Sequence, residues 1–318
     1  MIGALQNVFW ILVFPGFAFT LALGLVASWL VRKVSAVVQY RVGPPMYQPM
    51  VDVMKLLGKE ILVPQDANRT VFMLAPLAGL SGVLLLATVL WLATAGIAYV
   101  GDLLVVLYLM IFPSLALILG SSASGSPHAA VGAGREMKLV LSYELPLVLA
   151  VIVVLIRTAA LAGPDEQLNL VAIAQHTPVL SVSGAIAFLV ALLCVQAKLG
   201  FVPFDIAESE TEVASGVIIE YSGALLAVWK LMQALMLVAL PLFLVVVFLG
   251  GIDPVGWSLL GGIGKFVLVL VLIILIKNTN PRVRIDQAMR FFWFYCGTAA
   301  AAAVVLASIG SYYGIEWL

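Results

Sequence analysis

The chain has 318 residues, of which 64% are apolar and only 10% are charged. Soluble domains are roughly 45–50% apolar and about 25% charged, so the composition excludes an ordinary soluble protein and indicates a polytopic membrane protein. The 16 basic and 16 acidic residues cancel, which gives no indication of nucleic-acid binding. Cys194 and Cys296 stand singly in apolar stretches without cluster or metal spacing, so we expect this chain to bind no metal and no cofactor itself.

Apolar stretches of the length needed to cross a bilayer, about 20 residues, recur along the chain. No repeat, soluble domain or nucleotide-binding motif interrupts them, and the first stretch lacks a signal-peptide cleavage site, so we expect it to be retained. We predict one all-α membrane domain over residues 1–318, with about eight transmembrane helices at residues 8–31, 71–95, 102–120, 137–157, 180–200, 222–249, 263–277 and 289–309.

Basic residues are distributed unevenly between the loops. If the N-terminus lies outside, only Arg157 and Lys265 fall in outer loops and Lys230 falls within a span. Because cytoplasmic loops carry the excess of Lys and Arg, we predict a plasma-membrane protein with both termini outside and with the loops at residues 32–70, 121–136, 201–221 and 278–288 in the cytoplasm. The other 13 of the 16 basic residues then lie in or beside inner loops: Arg32, Lys33, Arg41, Lys55, Lys59, Arg69, Arg135, Lys138, Lys198, Lys277, Arg282, Arg284 and Arg290.

The first inner loop contains an amphipathic segment at about residues 47–62. Apolar residues recur there at helical spacing, which predicts a helix lying at the membrane interface. They are Met50, Val53, Met54, Leu57 and Ile61. Two roles remain open for this helix: membrane anchoring alone, or roofing a cavity and docking a peripheral subunit. The polar residues of the loop that would serve docking are Arg41, Gln48, Asp52, Lys55, Lys59 and Glu60.

Acidic residues are concentrated between the fifth and sixth predicted spans. Asp205, Glu208, Glu210 and Glu212 fall within eight residues, and Glu220 opens the next span. An acidic group at the bilayer centre costs roughly 2.5–3.5 kcal/mol, and crowded carboxylates raise one another's pKa values. The segment is therefore either a proton-handling, energy-coupling loop or a solvated acidic loop that caps a helix. If it is helical, Asp205, Glu208 and Glu212 share one face.

Three further charged residues lie in or beside predicted spans. Glu144 lies within the fourth span without a basic residue close in sequence, and it is either a proton relay or a hydrogen-bonded structural residue. Glu136 stands at the membrane edge and is a weaker candidate for the proton pathway, because its neighbours Arg135 and Lys138 would neutralise it if they contact it. Lys230 lies in the sixth span with Glu220 as its candidate partner, and it carries protons, acts as a counter-charge to the acidic cluster, or extends to the inner surface.

Three motifs resemble those of the subunit 1 family of respiratory complex I. The first runs from Arg41 to Glu60 as R-x-G-P-P-x-x-Q-P-x-x-D-x-x-K-L-x-x-K-E. The second runs from Ser124 to Met137 and ends in R-E-M. The third runs from Pro203 to Gly223 as P-F-D-x-x-E-x-E-x-E followed by E-Y-S-G, and it is highly specific. The resemblance covers nearly the whole chain and implies the eight-helix membrane fold of that family.

Within this family the chain looks like the membrane-bound, energy-converting [NiFe] hydrogenases and the related ferredoxin-linked sulfane sulfur reductases. Gly43-Pro44-Pro45 runs straight to Tyr47-Gln48-Pro49, without the Asn-Arg-Val-Gly-Pro insert usual in the quinone-reducing branch. The resemblance implies a subunit that anchors a hydrophilic electron-transfer arm and relays its energy to ion-translocating subunits. It also implies partners: a cluster-bearing small subunit and a hydrogenase-like large subunit with iron–sulfur and nickel–iron centres, antiporter-like membrane subunits, and lipids.

The resemblance further implies roles for single residues. Glu144, Glu208, Glu212 and Glu220 would belong to the acidic entrance of an ion channel, and the acidic loop would face the cluster-bearing subunits. The chain would have no complete active site and no catalytic residue of its own. One rival is a true complex I subunit with a quinone cavity. A more remote rival is a stand-alone proton-coupled transporter, although such transporters often have two related halves and this chain shows none.

Overall fold

A computed structural model of the chain describes residues 2–97, 102–163, 166–209, 212, 214, 216–253, 256–315 and 317–318. Within these ranges every regular element is a helix. Seven of the described helical stretches are long and apolar enough to cross a membrane, and a shorter apolar helix covers Val182–Lys198. The predicted fold class, an all-α polytopic membrane protein, is therefore confirmed.

The helices follow one another along the chain with short connections. A π-helical segment, Phe291–Cys296, joins the last two of them, and 3-10 turns lie at Pro178–Leu180 and Gly216–Ile218. The helices are α1 (Ile2–Leu12), α2 (Phe17–Val38), α3 (Gln48–Leu57), α4 (Arg69–Thr94), α5 (Leu103–Ser122), α6 (Pro127–Ala162), α7 (Leu170–Ala174), α8 (Val182–Lys198), α9 (Gly223–Phe248), α10 (Ser258–Thr279), α11 (Ile285–Arg290) and α12 (Gly297–Tyr313).

Polar caps and a proline set the first residues of several helices. The Asn68 side chain accepts a hydrogen bond from the N–H of the third residue of α4, and Ser181 accepts one from Gly184 in α8. Pro127 occupies the first position of α6, where its missing N–H costs no helical hydrogen bond. These signals explain why α6 starts well before residue 137, where the predicted span began.

Two further helices differ from their predicted bounds. The span predicted at residues 8–31 is two helices, because Pro15 and Gly16 interrupt it and α2 then continues to Val38. The interfacial helix α3 ends at Leu57 instead of reaching residue 62, since Gly58 follows as its C-terminal cap. The connection from residue 58 to residue 68 is therefore free to pack against other elements.

Helix α9 forms the centre of the bundle. In its most apolar 18-residue window 89% of the residues are buried, and α2, α3, α4, α8 and α10 pack around it. Its large side chains Trp229, Phe243 and Phe248 are fully buried. A helix that is apolar on all sides is expected at such a position. The corresponding windows of α2 and α10 are only 22% and 28% buried, so these helices present apolar side chains outward.

The E-Y-S-G motif connects the start of α9 to the segment after α3. The Ser222 hydroxyl accepts a hydrogen bond from the Leu62 N–H at 2.9 Å. Gly223 has a φ of +55°, and a Cβ built on it would lie 2.4 Å from the Glu60 carbonyl oxygen. The Tyr221 hydroxyl donates to a carbonyl in α4 at 3.1 Å. Glycine and serine are therefore needed here because two backbone segments approach each other closely.

Candidate functional site

A cavity of about 630 Å³ lies between α2, α3, α9 and the connection that follows α8. Its inner wall is largely apolar and includes Leu25, Met236 and Leu237. Among the described residues, four acidic and four basic side chains line it, namely Asp52, Glu136, Asp205, Glu208, Arg32, Lys198, Lys230 and Lys277. In such a cluster the proton occupancy of each carboxyl group depends on the charges of its neighbours.

The acidic segment is irregular, not helical, over residues 203–209. Its apolar side chains Phe204, Ile206 and Ala207 are all buried, which no single helix face would allow at this spacing. Its backbone carbonyls instead accept hydrogen bonds from the Gln196 side chain at residue 202 and from the Val283 N–H at residue 203. Because the segment is not helical, Asp205, Glu208 and Glu212 do not share one face of a helix.

Two carboxylates of the acidic segment line the cavity with different partners. Asp205 forms an ion pair with Arg282 at 2.9 Å. Glu208 accepts a hydrogen bond from the Gln233 amide at 3.1 Å, and the Gln233 carbonyl accepts one from the Lys230 ammonium at 3.1 Å. Burial raises the pKa of both Asp205 and Glu208 above its ordinary value, and the nearby cation in each case offsets only part of that rise. Both groups can therefore exchange protons at a higher pH than exposed carboxyl groups.

The expected pairing of Lys230 with Glu220 does not occur. Lys230 donates to Gln233 one turn later on α9, and both side chains line the cavity. Glu220 precedes α9, which begins only at Gly223, so it cannot approach Lys230 through helical spacing. In the part of the chain that the structure describes, the half-buried Glu220 carboxylate has no ion pair or hydrogen bond.

Glu136 is buried beside the acidic segment. Helix α6 approaches the 3-10 turn at residues 216–218 so closely that a Cβ on Gly132 would lie 2.7 Å from the Val217 nitrogen. One turn later, Glu136 is only 9% exposed and lines the cavity together with Glu208. The close helix–turn contact therefore helps to place both carboxyl groups in the wall of one cavity.

The basic neighbours of Glu136 do not neutralise it, contrary to the sequence expectation. Arg135 forms an ion pair with Glu212, whose side chain is 51% exposed, and Lys138 is also exposed. Neighbouring residues on a helix point in different directions, so Arg135 and Lys138 do not contact Glu136 although they are close to it in sequence. Glu212 thus lies on the surface and not in the cavity, and Glu210 lies outside the described residues.

Glu144 meets a cation from a distant part of the chain. The Lys198 ammonium donates to Glu144 Oε2 at 2.8 Å, and the Lys198 side chain is fully buried. The Tyr143 ring lies 4.8 Å from the same ammonium, and the Tyr143 hydroxyl lies 3.3 Å from Ser114 Oγ. The Glu144 side chain is 19% exposed, and the pair connects α6 to α8. Removal of Glu144 would leave the buried Lys198 ammonium without its counter-charge.

Helix α3 roofs the cavity through one of its faces. Asp52 forms an ion pair with Arg32 of α2 at 2.8 Å and accepts a hydrogen bond from Gln48 at 2.8 Å. The Arg32 guanidinium lowers the pKa of the Asp52 carboxyl group below its ordinary value. Pro49, Val53 and Leu56 line the cavity from the same face.

The opposite face of α3 is exposed. Met50, Met54 and Leu57 are each more than half exposed, as expected for a helix that lies on a membrane. Of the polar residues predicted for docking, Gln48 and Asp52 are engaged within the chain, since Gln48 donates to Asp52 and Asp52 pairs with Arg32. The remaining four are exposed: Arg41, Lys55, Lys59 and Glu60.

Sequence reasoning did not identify several residues of this site, among them Arg32 and Lys277 in the cavity lining. Three others show why. Lys198 counted only as a basic residue at a helix edge, although a lysine ending an apolar stretch could have suggested a buried cation. Gln233 stands three residues after Lys230, a helical spacing that would have identified their contact. Nothing in the sequence indicated a contact between Arg282 and Asp205, because only folding brings the two residues together.

Comparison with known proteins places this architecture in one family. A family model described as NADH dehydrogenase matches residues 10–308. The H subunit of the NADH-quinone oxidoreductase of Thermomicrobium roseum is 35% identical over 300 residues, which cover 85% of this chain and 87% of that relative. The corresponding H subunit from Dehalococcoides mccartyi strain CBDB1 is 31% identical over 304 residues, which cover 91% of this chain and 83% of that relative.

A solved structure has the same fold. It is a chain of the membrane-bound sulfane sulfur reductase, an archaeal respiratory membrane complex, and it matches with a TM-score of 0.81 and 27% identity. The match covers 92% of this chain and 96% of the other. The family match over nearly the whole sequence confirms the resemblance drawn from the motifs. The chain therefore belongs to the NADH dehydrogenase subunit 1 family and is a multi-span membrane subunit of the kind found in respiratory complexes.

Proposed function

We propose that this chain anchors the hydrophilic electron-transfer arm of a multisubunit respiratory oxidoreductase and couples its redox reaction to ion translocation. The complex would be a ferredoxin-dependent membrane-bound hydrogenase or sulfane sulfur reductase. Iron–sulfur clusters and a nickel–iron or related site would belong to the small and large arm subunits. The chain itself would supply charged groups, and antiporter-like membrane subunits would receive the transmitted energy.

The cavity is the observation that supports this proposal best. Asp205 and Glu208 of the acidic segment line it, together with two other acidic and four basic side chains. Asp205 and Glu208 have raised pKa values because they are buried, so their protonation can respond to charges nearby. A cluster with these properties next to a docking surface can translate a change in a partner's charge into proton uptake or release.

The surface around the acidic segment supports docking of a charged partner. Exposed Lys55 and Lys59 lie on α3 and just after it, and the connection that follows is hydrogen-bonded to Ser222 at the start of α9. The exposed ion pair between Arg135 and Glu212 lies on the adjoining part of the acidic segment. These mixed charges would favour specific orientation of an arm subunit more than high affinity.

Purification and reconstitution test this proposal. An affinity tag on this chain should recover a complex that contains arm and membrane subunits, whereas a stand-alone transporter would be recovered alone. The complex in sealed vesicles should move ions when it is supplied with reduced ferredoxin and its acceptor. Recovery of the chain without partners, or redox turnover without ion movement in tight vesicles, would count against the proposal.

The cavity also favours a second candidate, the quinone-site subunit of a true complex I. A space of about 630 Å³ under an interfacial helix could admit the head of an amphiphilic quinone, and curated relatives are named as parts of NADH-quinone oxidoreductases. The short connection after Arg41 favours the first candidate by resemblance. We therefore expect turnover with reduced ferredoxin in quinone-free detergent. Strict dependence on added quinone, or inhibition by quinone-site blockers, would support the second candidate.

A further inference from the structure

Lys198 connects the cavity to a carboxyl group that does not line it. The Lys198 side chain lines the cavity and also donates to Oε2 of Glu144, a residue outside the cavity lining. Glu136 and Glu144 stand eight residues apart on α6, or about 12 Å along the helix axis. That separation is too long for direct proton transfer between them. Lys198 links the two positions, because it contacts Glu144 at 2.8 Å and shares the cavity lining with Glu136.

The surroundings of Lys198 favour movement of its ammonium or its proton. Apart from Glu144, its polar neighbours are the Met110 carbonyl at 3.5 Å and the Tyr143 ring at 4.8 Å, which are weak partners. Glu144 Oε1 is buried and has no hydrogen-bond partner among the described residues. The carboxyl group therefore depends on Lys198 alone for a strong contact.

We propose that Lys198 relays protons between the cavity and Glu144, so that the ion carried by this route is H⁺. In the step, an N–H bond of the ammonium breaks and an O–H bond forms on Glu144 Oε2, which leaves a neutral amine and a neutral acid. The amine lone pair then accepts a proton delivered from the cavity, whose lining it shares with Glu136, and the ammonium is restored. The net change is one proton moved from the cavity to Glu144. This inference rests on the proposed coupling function.

Substitution by arginine separates a proton relay from a simple counter-charge. Lys198→Arg keeps a positive charge beside Glu144, but guanidinium stays protonated at every physiological pH and cannot pass its proton on. We expect the complex to assemble, to keep its redox activity, and to lose roughly tenfold or more of its ion pumping per electron. Lys138→Arg, at an exposed position of α6, is the matched control and should pump like the wild type.

A second variant decides the matter if arginine does not fit the buried site. Lys198→Ala should regain pumping when methylamine is added, because a primary amine can exchange protons in the vacated space. Tetramethylammonium carries charge without an exchangeable proton and should not restore it. Wild-type pumping by Lys198→Arg, equal restoration by both cations, or no restoration by methylamine would overturn the inference. Redox turnover of wild-type vesicles without ion movement would instead overturn the proposed function.

Discussion

The carboxyl groups of this chain differ in the group that each one meets. Asp205 forms an ion pair with Arg282, and Glu144 forms one with Lys198. Glu208 instead accepts a hydrogen bond from Gln233. Glu212 meets Arg135 where both side chains contact solvent. Solvent screens the ion pair between Glu212 and Arg135, which therefore contributes only about 0–1 kcal/mol to the free energy of unfolding. The more enclosed carboxyl groups respond strongly to a change in the charge of their neighbours.

The first prediction separates two glutamates that the sequence treats alike. Glu208→Gln should reduce ion pumping strongly, because an amide cannot exchange a proton in the cavity. Glu212→Gln should have a smaller effect, because it removes only an exposed ion pair. Pumping per electron in vesicles is the measurement, with the exposed Asp286→Asn as control. Equal losses in both variants would mean that the surface pair takes part in coupling.

At the scale of single elements, α3 has two distinct faces. One face closes the cavity through Asp52, Val53 and Leu56, and the other exposes Met50 and Met54. A helix with exposed apolar residues flanked by lysines is suited to the boundary between lipid headgroups and acyl chains. The membrane and the cavity are therefore separated here by one helix of ten residues.

The second prediction concerns the orientation of α3. A fluorophore attached at Met54→Cys should be quenched by brominated lipids, because this side chain faces the membrane. The same label at Val53→Cys, on the cavity face, should be quenched much less. Both native cysteines are buried, so they should give little background labelling. Stronger quenching at residue 53 than at residue 54 would reverse the assignment of the two faces.

The sequence predicts elements better than it predicts their contacts. The lengths of the apolar stretches identified the spans, because a segment inside a bilayer must form all its backbone hydrogen bonds internally, as a helix does. It did not find the break at Pro15, nor the irregular path of residues 203–209, where neighbouring side chains replace helical hydrogen bonds. The contact between Lys198 and Glu144 joins residues 54 positions apart, and no periodic pattern encodes that distance.

At the scale of the whole molecule, most charged groups gather at one end of the bundle. The cavity, α3 and the acidic segment share that end. The opposite end holds the half-buried Lys265, which donates to the carbonyl of Gly251 after α9, and the buried Arg157, which donates to Ser183. These two cations are therefore engaged locally, and under the proposed function the charged end would be the surface for soluble partners.

The third prediction gives the orientation of the charged end. Val131→Cys and Arg284→Cys should resist an impermeant thiol reagent added to intact cells, because the excess of basic residues places this end in the cytoplasm. Leu180→Cys, which is 83% exposed at the opposite end, should react. Labelling after permeabilisation serves as the accessibility control. Reaction of residue 131 or 284 in intact cells would invert the topology.

The acidic and basic side chains of the described cavity lining would make its protonation sensitive to an outside charge. One unit charge about 10 Å away contributes about 1.7 kcal/mol at an effective dielectric constant of about 20. That free energy slightly exceeds the value of about 1.4 kcal/mol that changes a protonation equilibrium tenfold. An electron held by a partner against the acidic segment would favour proton uptake by Glu208 and its neighbours, and its departure would favour release. Under the proposed function, such a subunit would sense oxidation state through the electric field alone, without a large movement of any helix.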